Sequence, residues 1–213
     1  VEPPAIFLEA TMVLRRQLLA FCFDDWGRVK EGKQVIPSSM QPVVNAVKES
    51  KLEQFPFTLI SFIKANRDRL WDDFSLLLPT TLTDEGMARL KQLLVNPQDE
   101  EQQVEWILIN RLKEIVDEVS RLDQQRKILD TALKNAEKKP DDEAKEKEVR
   151  ELNEELSGVS RLKRSILQRE TLNFLTDEGL LPNYAFPEEG TTLKSVIFRR
   201  SSDPTGAQPF ESD

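Results

Sequence analysis

Between Leu108 and Ala136 the residues Leu108, Leu112, Ile115, Val119, Leu122, Arg126, Leu129, Leu133 and Ala136 follow one another at alternating spacings of four and three. Only a helix brings such positions onto one stripe, and a stripe repeating near every 3.5 residues is a seam for a second helix. Arg126 is the single polar residue in it. The run Lys138-Lys139-Pro140-Asp141-Asp142 then interrupts the pattern, and Val149, Leu152, Leu156, Val159, Leu162, Ile166 and Leu167 resume it. A proline inside one continuous helix costs on the order of 3 kcal/mol. The spacing therefore predicts an antiparallel helical hairpin turning near Pro140. Arms of about 34 residues reach roughly 50 Å at ~1.5 Å per residue.

The flanking sequence is helical by the same test, with different periodicity. Residues 1–9 contain Pro3-Pro4 and read as an extended lead-in. From Thr11 to Trp26 apolar residues crowd most of the circumference, which predicts a helix buried on several sides. Ser38 with Gln41 reads as a capping box before a short helix near Pro42 to Lys48. Phe57 to Leu78 reads as one helix stopped by Pro79. Thr83 is an N-cap, with Asp84 and Glu85 placed well for the helix dipole, and that helix ends near Asn96-Pro97. Phe174-Leu175 closes the second hairpin arm, and Gly179 fits a C-cap. Thr191 to Arg200 alternates like a strand, and residues 201–213 read as loop or disorder. The fold class is mainly α. Residues 1–97 form a helical base, 98–176 a coiled-coil hairpin with its tip near 138–142, and 177–213 an extended strap, a short strand and a tail.

One cysteine, Cys22, and no histidine remove several chemistries. No disulfide can form within the chain, zinc sites lack their ligands, and Ser-His-Asp or Cys-His catalysis has no imidazole base. No catalytic residue, metal ligand or cofactor site is assigned. The net charge is −8. Residues 99–157 carry eighteen acids and eleven bases, while residues 1–98 balance at twelve each. Acidity on the middle helices reads as a solvated face and argues against a self-sufficient nucleic-acid binder. The start at Val1 reads as a processed chain or a fragment, and neither a signal peptide nor a bilayer-spanning run is seen. The expected location is cytoplasmic, away from membranes.

Four motifs invite functional readings. Gly27 to Gln34 (GRVKEGKQ) nearly matches a phosphate-cradling loop, but Gln34 replaces the Mg²⁺-holding hydroxyl and Pro37 blocks a following helix. The chain is expected neither to bind nor to hydrolyse ATP. LTDEG occurs at 82–86 and 175–179, where capping explains each copy. Basic residues gather at Arg161, Lys163, Arg164 and Arg169, and again at Arg15-Arg16 and Arg199-Arg200. They are candidate phosphate contacts, weighed against an ordinary salt-bridged surface. The aromatic residues Trp26, Trp71, Trp106, Tyr184 and Phe186 read as core groups, since no basic-aromatic alternation of a single-strand platform occurs.

Two stretches carry a family resemblance. The run from Glu170 to Arg200, and above all Leu181-Pro182-Asn183-Tyr184-Ala185-Phe186-Pro187, resembles a segment of large bacterial superfamily 2 DEAD/DEAH-box helicases. The group is that of the mitomycin-repair helicases, in which this stretch lies between the motor and a C-terminal four-cysteine zinc domain. Residues 3–26 are similar to the region that follows the second motor domain. Together the two stretches cover about a quarter of the chain. Druantia-type anti-phage defence helicases are among the very long members. The resemblance implies a segment after the motor and before the zinc module, with ATP, Mg²⁺, zinc and DNA as ligands of the parent protein. Its implied partners are the motor and the zinc domain, with a protein at the hairpin tip as a further candidate. Leu181, Pro182, Tyr184, Phe186 and Pro187 would anchor the strap, with the Tyr184 and Phe186 rings buried against the base. The expected function is that of a non-catalytic accessory segment that braces or docks the motor. The alternative is a free-standing coiled-coil adaptor recruiting a protein partner.

Overall fold

The computed structural model describes residues 4–29, 36–78, 80, 82–95 and 100–183, and the side chains from Met12 onward within the first of these ranges. All of them belong to one unit, Val1–Asn183. The fold is mainly α: α1 (Pro4–Arg28), α2 (Met40–Lys48), α3 (Phe57–Ala65), α4 (Arg67–Ser75), α5 (Asp84–Gln92), α6 (Val104–Glu137), α7 (Glu143–Gln168) and α8 (Thr171–Asp177). A 3₁₀ turn, Glu100–Gln102, leads into α6. The strand expected at 191–200, the strap after Asn183 and the tail lie outside the described residues.

Several boundaries differ from expectation for local reasons. The first helix begins at Pro4 rather than near Thr11. Proline is tolerated in a first turn, where its missing N–H has no intrahelical acceptor anyway. The stretch 57–78 is two helices, broken at Asn66 with φ −125° and ψ 18°. The Asn66 amide donates back to the Phe62 carbonyl at 2.8 Å, a local bond that competes with the helical ladder. Ser39, not Ser38, caps α2, and no side-chain capping bond forms. The Met40 N–H instead donates to the Arg169 carbonyl at 2.9 Å, and the Thr171 N–H to the Ser38 carbonyl at 3.2 Å. The starts of α2 and α8 are thus zipped together by an antiparallel bridge between Ser39 and Glu170. Thr83 caps α5 as read, its hydroxyl accepting from the Gly86 N–H at 3.1 Å.

The core forms where α1 lies against α3, α4 and α5, and α2 against α6, α7 and α8. Leu18, Leu19, Cys22, Phe23 and Trp26 enter it from α1, Met40, Val43, Val44 and Val47 from α2, and Leu70, Trp71 and Phe74 from α4. On α6 this core stops at Val119, and on α7 it is reached at Ile166 and Leu167. Beyond it Leu122, Leu129 and Val159 form a separate small cluster with Leu152, Leu156 and Ile166. The two helices run antiparallel, because Lys163 pairs with Asp123 while Lys139 pairs with Glu148 (2.8 Å) beside the turn. The turn is the polar run 138–142, and Asp142 caps α7 by accepting from the Lys145 N–H at 2.7 Å. The second arm is shorter than expected, ending at Gln168, and α8 is a separate helix. Leu162 does not face the seam. It is 49% exposed, and the next position, Lys163, turns inward to Asp123. Arg126 is exposed, 4.0 Å from Asp130.

Both α2 and α8 end in the same way. Past α8, the Gly179 N–H donates to the Thr176 carbonyl and the Leu180 N–H to Leu175, both at 2.9 Å, with Gly179 at φ 68°. These are the two bonds of a Schellman turn, and Leu180 and Leu175 are both buried in the main core. Past α2, the Ser50 N–H donates to Val47 and the Lys51 N–H to Ala46, with Ser50 at φ 52°. A left-handed conformation costs a residue with a Cβ about 1–2 kcal/mol. Ser50→Gly is therefore expected to raise the stability of the chain by about 1 kcal/mol in urea titration, and a loss of stability would contradict this account of the turn.

Candidate functional site

The root of the long helical pair is held by charge. Arg67, at the start of α4, pairs through Nη2 with Glu105 in the first turn of α6. The same guanidinium donates to Gln103 Oε1 at 3.0 Å and to the Leu94 carbonyl at 3.2 Å. The Glu105 side chain is 3% exposed. Burial pushes its carboxyl above the ordinary glutamate value, and its own backbone amide, Arg67 and Lys64 recover only part of that shift. Position matters as well, since an acid in the first turn faces the positive end of α6. On the other side, Arg111 of α6 binds Glu178 beyond α8, with Nε at 2.9 Å, and also Glu114. Sequence reasoning did not single out Arg67, Glu105 or Arg111, and read Glu178 only as part of the LTDEG copy at 175–179. The one available signal was an acid in the first turn of the heptad helix.

The basic candidates separate. Lys163 is paired with Asp123. Arg169 is held by Asp177 and lies 3.8 Å from Glu178, with its guanidinium carbon 5.5 Å from the centre of the Phe174 ring. Arg161 and Arg164 are exposed. Arg161 borders an open depression along α7 with Arg150, Asn153, Glu154 and Ser157. Arg15 and Arg16 are on α1, half-buried. Arg16 reaches the turn after α8, where an ideal Cβ on Gly179 would stand 2.9 Å from its Nη2. Arg199 and Arg200 lie outside the described residues.

Of the strap anchors, Leu181 is buried and Pro182 half-buried. The Leu181 N–H donates to the Leu175 carbonyl at 3.1 Å, which fastens the start of the strap to α8. Tyr184, Phe186 and Pro187, and with them the expected burial of both rings, lie outside the described residues. In the stretch resembling a phosphate loop, Gly27 and Arg28 end α1 and residues 30–35 are likewise outside. The two LTDEG copies sit at the start of α5 and the end of α8, as capping requires. Cys22 is buried, and burial, with Glu105 and Asp25 nearby, pushes its thiol well above the ordinary range. Such a thiol packs as a small apolar group. Among the described residues, no set of three or more Cys, Asp or Glu side chains is grouped to hold a metal ion, and no helix is long and apolar enough to cross a membrane. No protein-family model, curated protein or solved structure matches the chain.

Proposed function

We propose that the chain is a non-catalytic accessory segment of an ATP-dependent DEAD/DEAH-box nucleic-acid helicase, whose α6–α7 pair spaces or docks parts of the machine. One observation carries the reading: the pair extends past the core that roots it. The 34 residues of α6 amount to about 50 Å of helix, yet the main core ends at Val119. The outer half stabilises mainly itself, through Leu122, Leu129 and Val159. Helix built beyond what the core uses provides reach. The ion pairs of Arg67 and Arg111 fix its root, so a load at the tip is passed to the base. The resemblance at Leu181–Pro187 supplies the rest of the reading: the motor before, the zinc module after, and DNA as the track. The decisive experiment shortens α6 and α7 in the full-length helicase, removing 120–165 and bridging the ends with a short turn. ATP hydrolysis should persist while strand separation falls; unaltered strand separation would sink the reading.

A second reading has its own support. Ile128 and Leu162 are apolar side chains 69% and 49% exposed on the same pair, which suits a free-standing adaptor that recruits a protein partner. Flanking coding sequence without motor motifs would select it.

A further inference from the structure

The basic side chains of the described residues fall into two groups. Some are ion-paired, as Lys163 is to Asp123 and Arg169 to Asp177. The others make no ion pair among the described residues, and all of these are exposed except two, Arg15 and Arg16. This adjacent pair on α1 is half-buried. No acceptor among the described residues reaches Arg16 Nε, which is shielded from solvent. Its guanidinium lies against Gly179, in space that any side chain there would need. Burial, and then the charge of Arg16, depress the pKa of Arg15, as happens to a cation that loses water without gaining an anion. The carbonyl end of α8 offsets part of one charge, but the Leu175 and Thr176 carbonyls are already taken by the Schellman bonds. Two like charges, partly withdrawn from water and without a counter-charge among the described residues, call for an anion.

We propose that Arg15 and Arg16 form a phosphate-binding subsite, and that its ligand is a phosphodiester of the nucleic-acid backbone. The proposal rests on the helicase reading above and names the surface that would touch the track. Each guanidinium presents a planar fork of donors matched to phosphate oxygens. Being already half desolvated and packed, the pair has less to lose on binding than the hydrated Arg161 and Arg164. The α7 cluster, in which Lys163 and Arg169 are held by carboxylates, is the weaker surface.

Titration of a fluorescein-labelled single-stranded oligonucleotide with the full chain, over a range of salt, tests this. Arg15→Gln/Arg16→Gln should weaken binding by about tenfold at low salt and flatten the salt dependence by about one unit of slope, while Arg161→Gln/Arg164→Gln does less. Without nucleic acid the same double variant should melt no lower than the wild type, because it removes charges that cost stability. Inorganic phosphate should raise the melting temperature of the wild type and not of the variant. An unchanged affinity and slope, or a lower melting temperature with no loss specific to this pair, would overturn the proposal. Stabilisation by phosphate without any oligonucleotide binding would overturn the nucleic-acid assignment. The helicase reading fails separately, through strand separation that survives loss of the α6–α7 tip.

Discussion

Replacing Trp26 with alanine is expected to remove about 3–5 kcal/mol of stability, the usual loss for a buried large aromatic. The indole is 1% exposed and sits in the main core. It meets Phe23 edge-on at 6.4 Å between ring centres and Phe55 at 6.1 Å, and those two rings meet each other at 5.9 Å. Truncation leaves a cavity that Phe23, on the same helix, cannot fill without unstacking from Phe55. For a chain of this size each kcal/mol moves the melting temperature by roughly 2–4 °C, so the shift should approach or exceed 10 °C. Trp26→Phe is the informative companion. Because the indole N–H finds no acceptor among the described residues, phenylalanine gives up volume and no hydrogen bond. It should cost less than half as much as alanine. Equal losses in the two variants, measured by thermal melts followed by circular dichroism, would place a bonded N–H at this site.

The second large effect belongs to Arg67→Met. It leaves the Glu105 carboxylate buried without its cation, which costs about 3–5 kcal/mol when one member of a buried pair is removed. The loss should depend on pH in a direction fixed by Glu105. Its folded pKa already lies above the ordinary 4.5, so its contribution to stability is full below that value and is lost as pH rises through the raised one. Without Arg67 the folded pKa climbs further, and more stability is lost above it. Urea titrations should therefore show the variant furthest below the wild type at neutral pH, with the gap narrowing as pH falls toward 4.5. Arg67→Met/Glu105→Leu should recover most of the loss, since an apolar pair of similar volume often replaces a buried ion pair at little cost. A pH-independent loss would show that Arg67 acts through packing alone.

The helical pair was legible because its signal is periodic and long. From Leu108 to Ala136 the spacing reads as one helical seam, and Pro140 disfavours a single continuous helix. What escaped was decided by tertiary contacts or by short side-chain choices. After Val159 the seam needed a step of four, which lands on Lys163, but the apolar residue stands one position earlier, at Leu162. Only Asp123, forty residues away in sequence, makes a lysine acceptable there. The break at Asn66 carries no proline or glycine to announce it. The bridge between Ser39 and Glu170 joins segments 131 positions apart, and it replaced the side-chain cap expected from Ser38. Of the basic clusters, composition could name the members, but not say that among the described residues Lys163 and Arg169 are paired with carboxylates, Arg161 and Arg164 are exposed, and Arg15 and Arg16 are half-buried with no ion pair.

The bridge at Ser39 and Glu170 fixes what can vary in this architecture. It clamps the base immediately beside the exit of α7, so the length of the pair beyond Val119 and Leu167 is set independently of everything below it. Adding or removing seven residues in each helix would carry the tip out or in by about 10 Å and leave the seam facing the same way. A change that is not a whole number of heptads would swing the tip around the axis as well. The reach of the arm is thus graduated in steps of one heptad, like a ruler whose zero is the clamp.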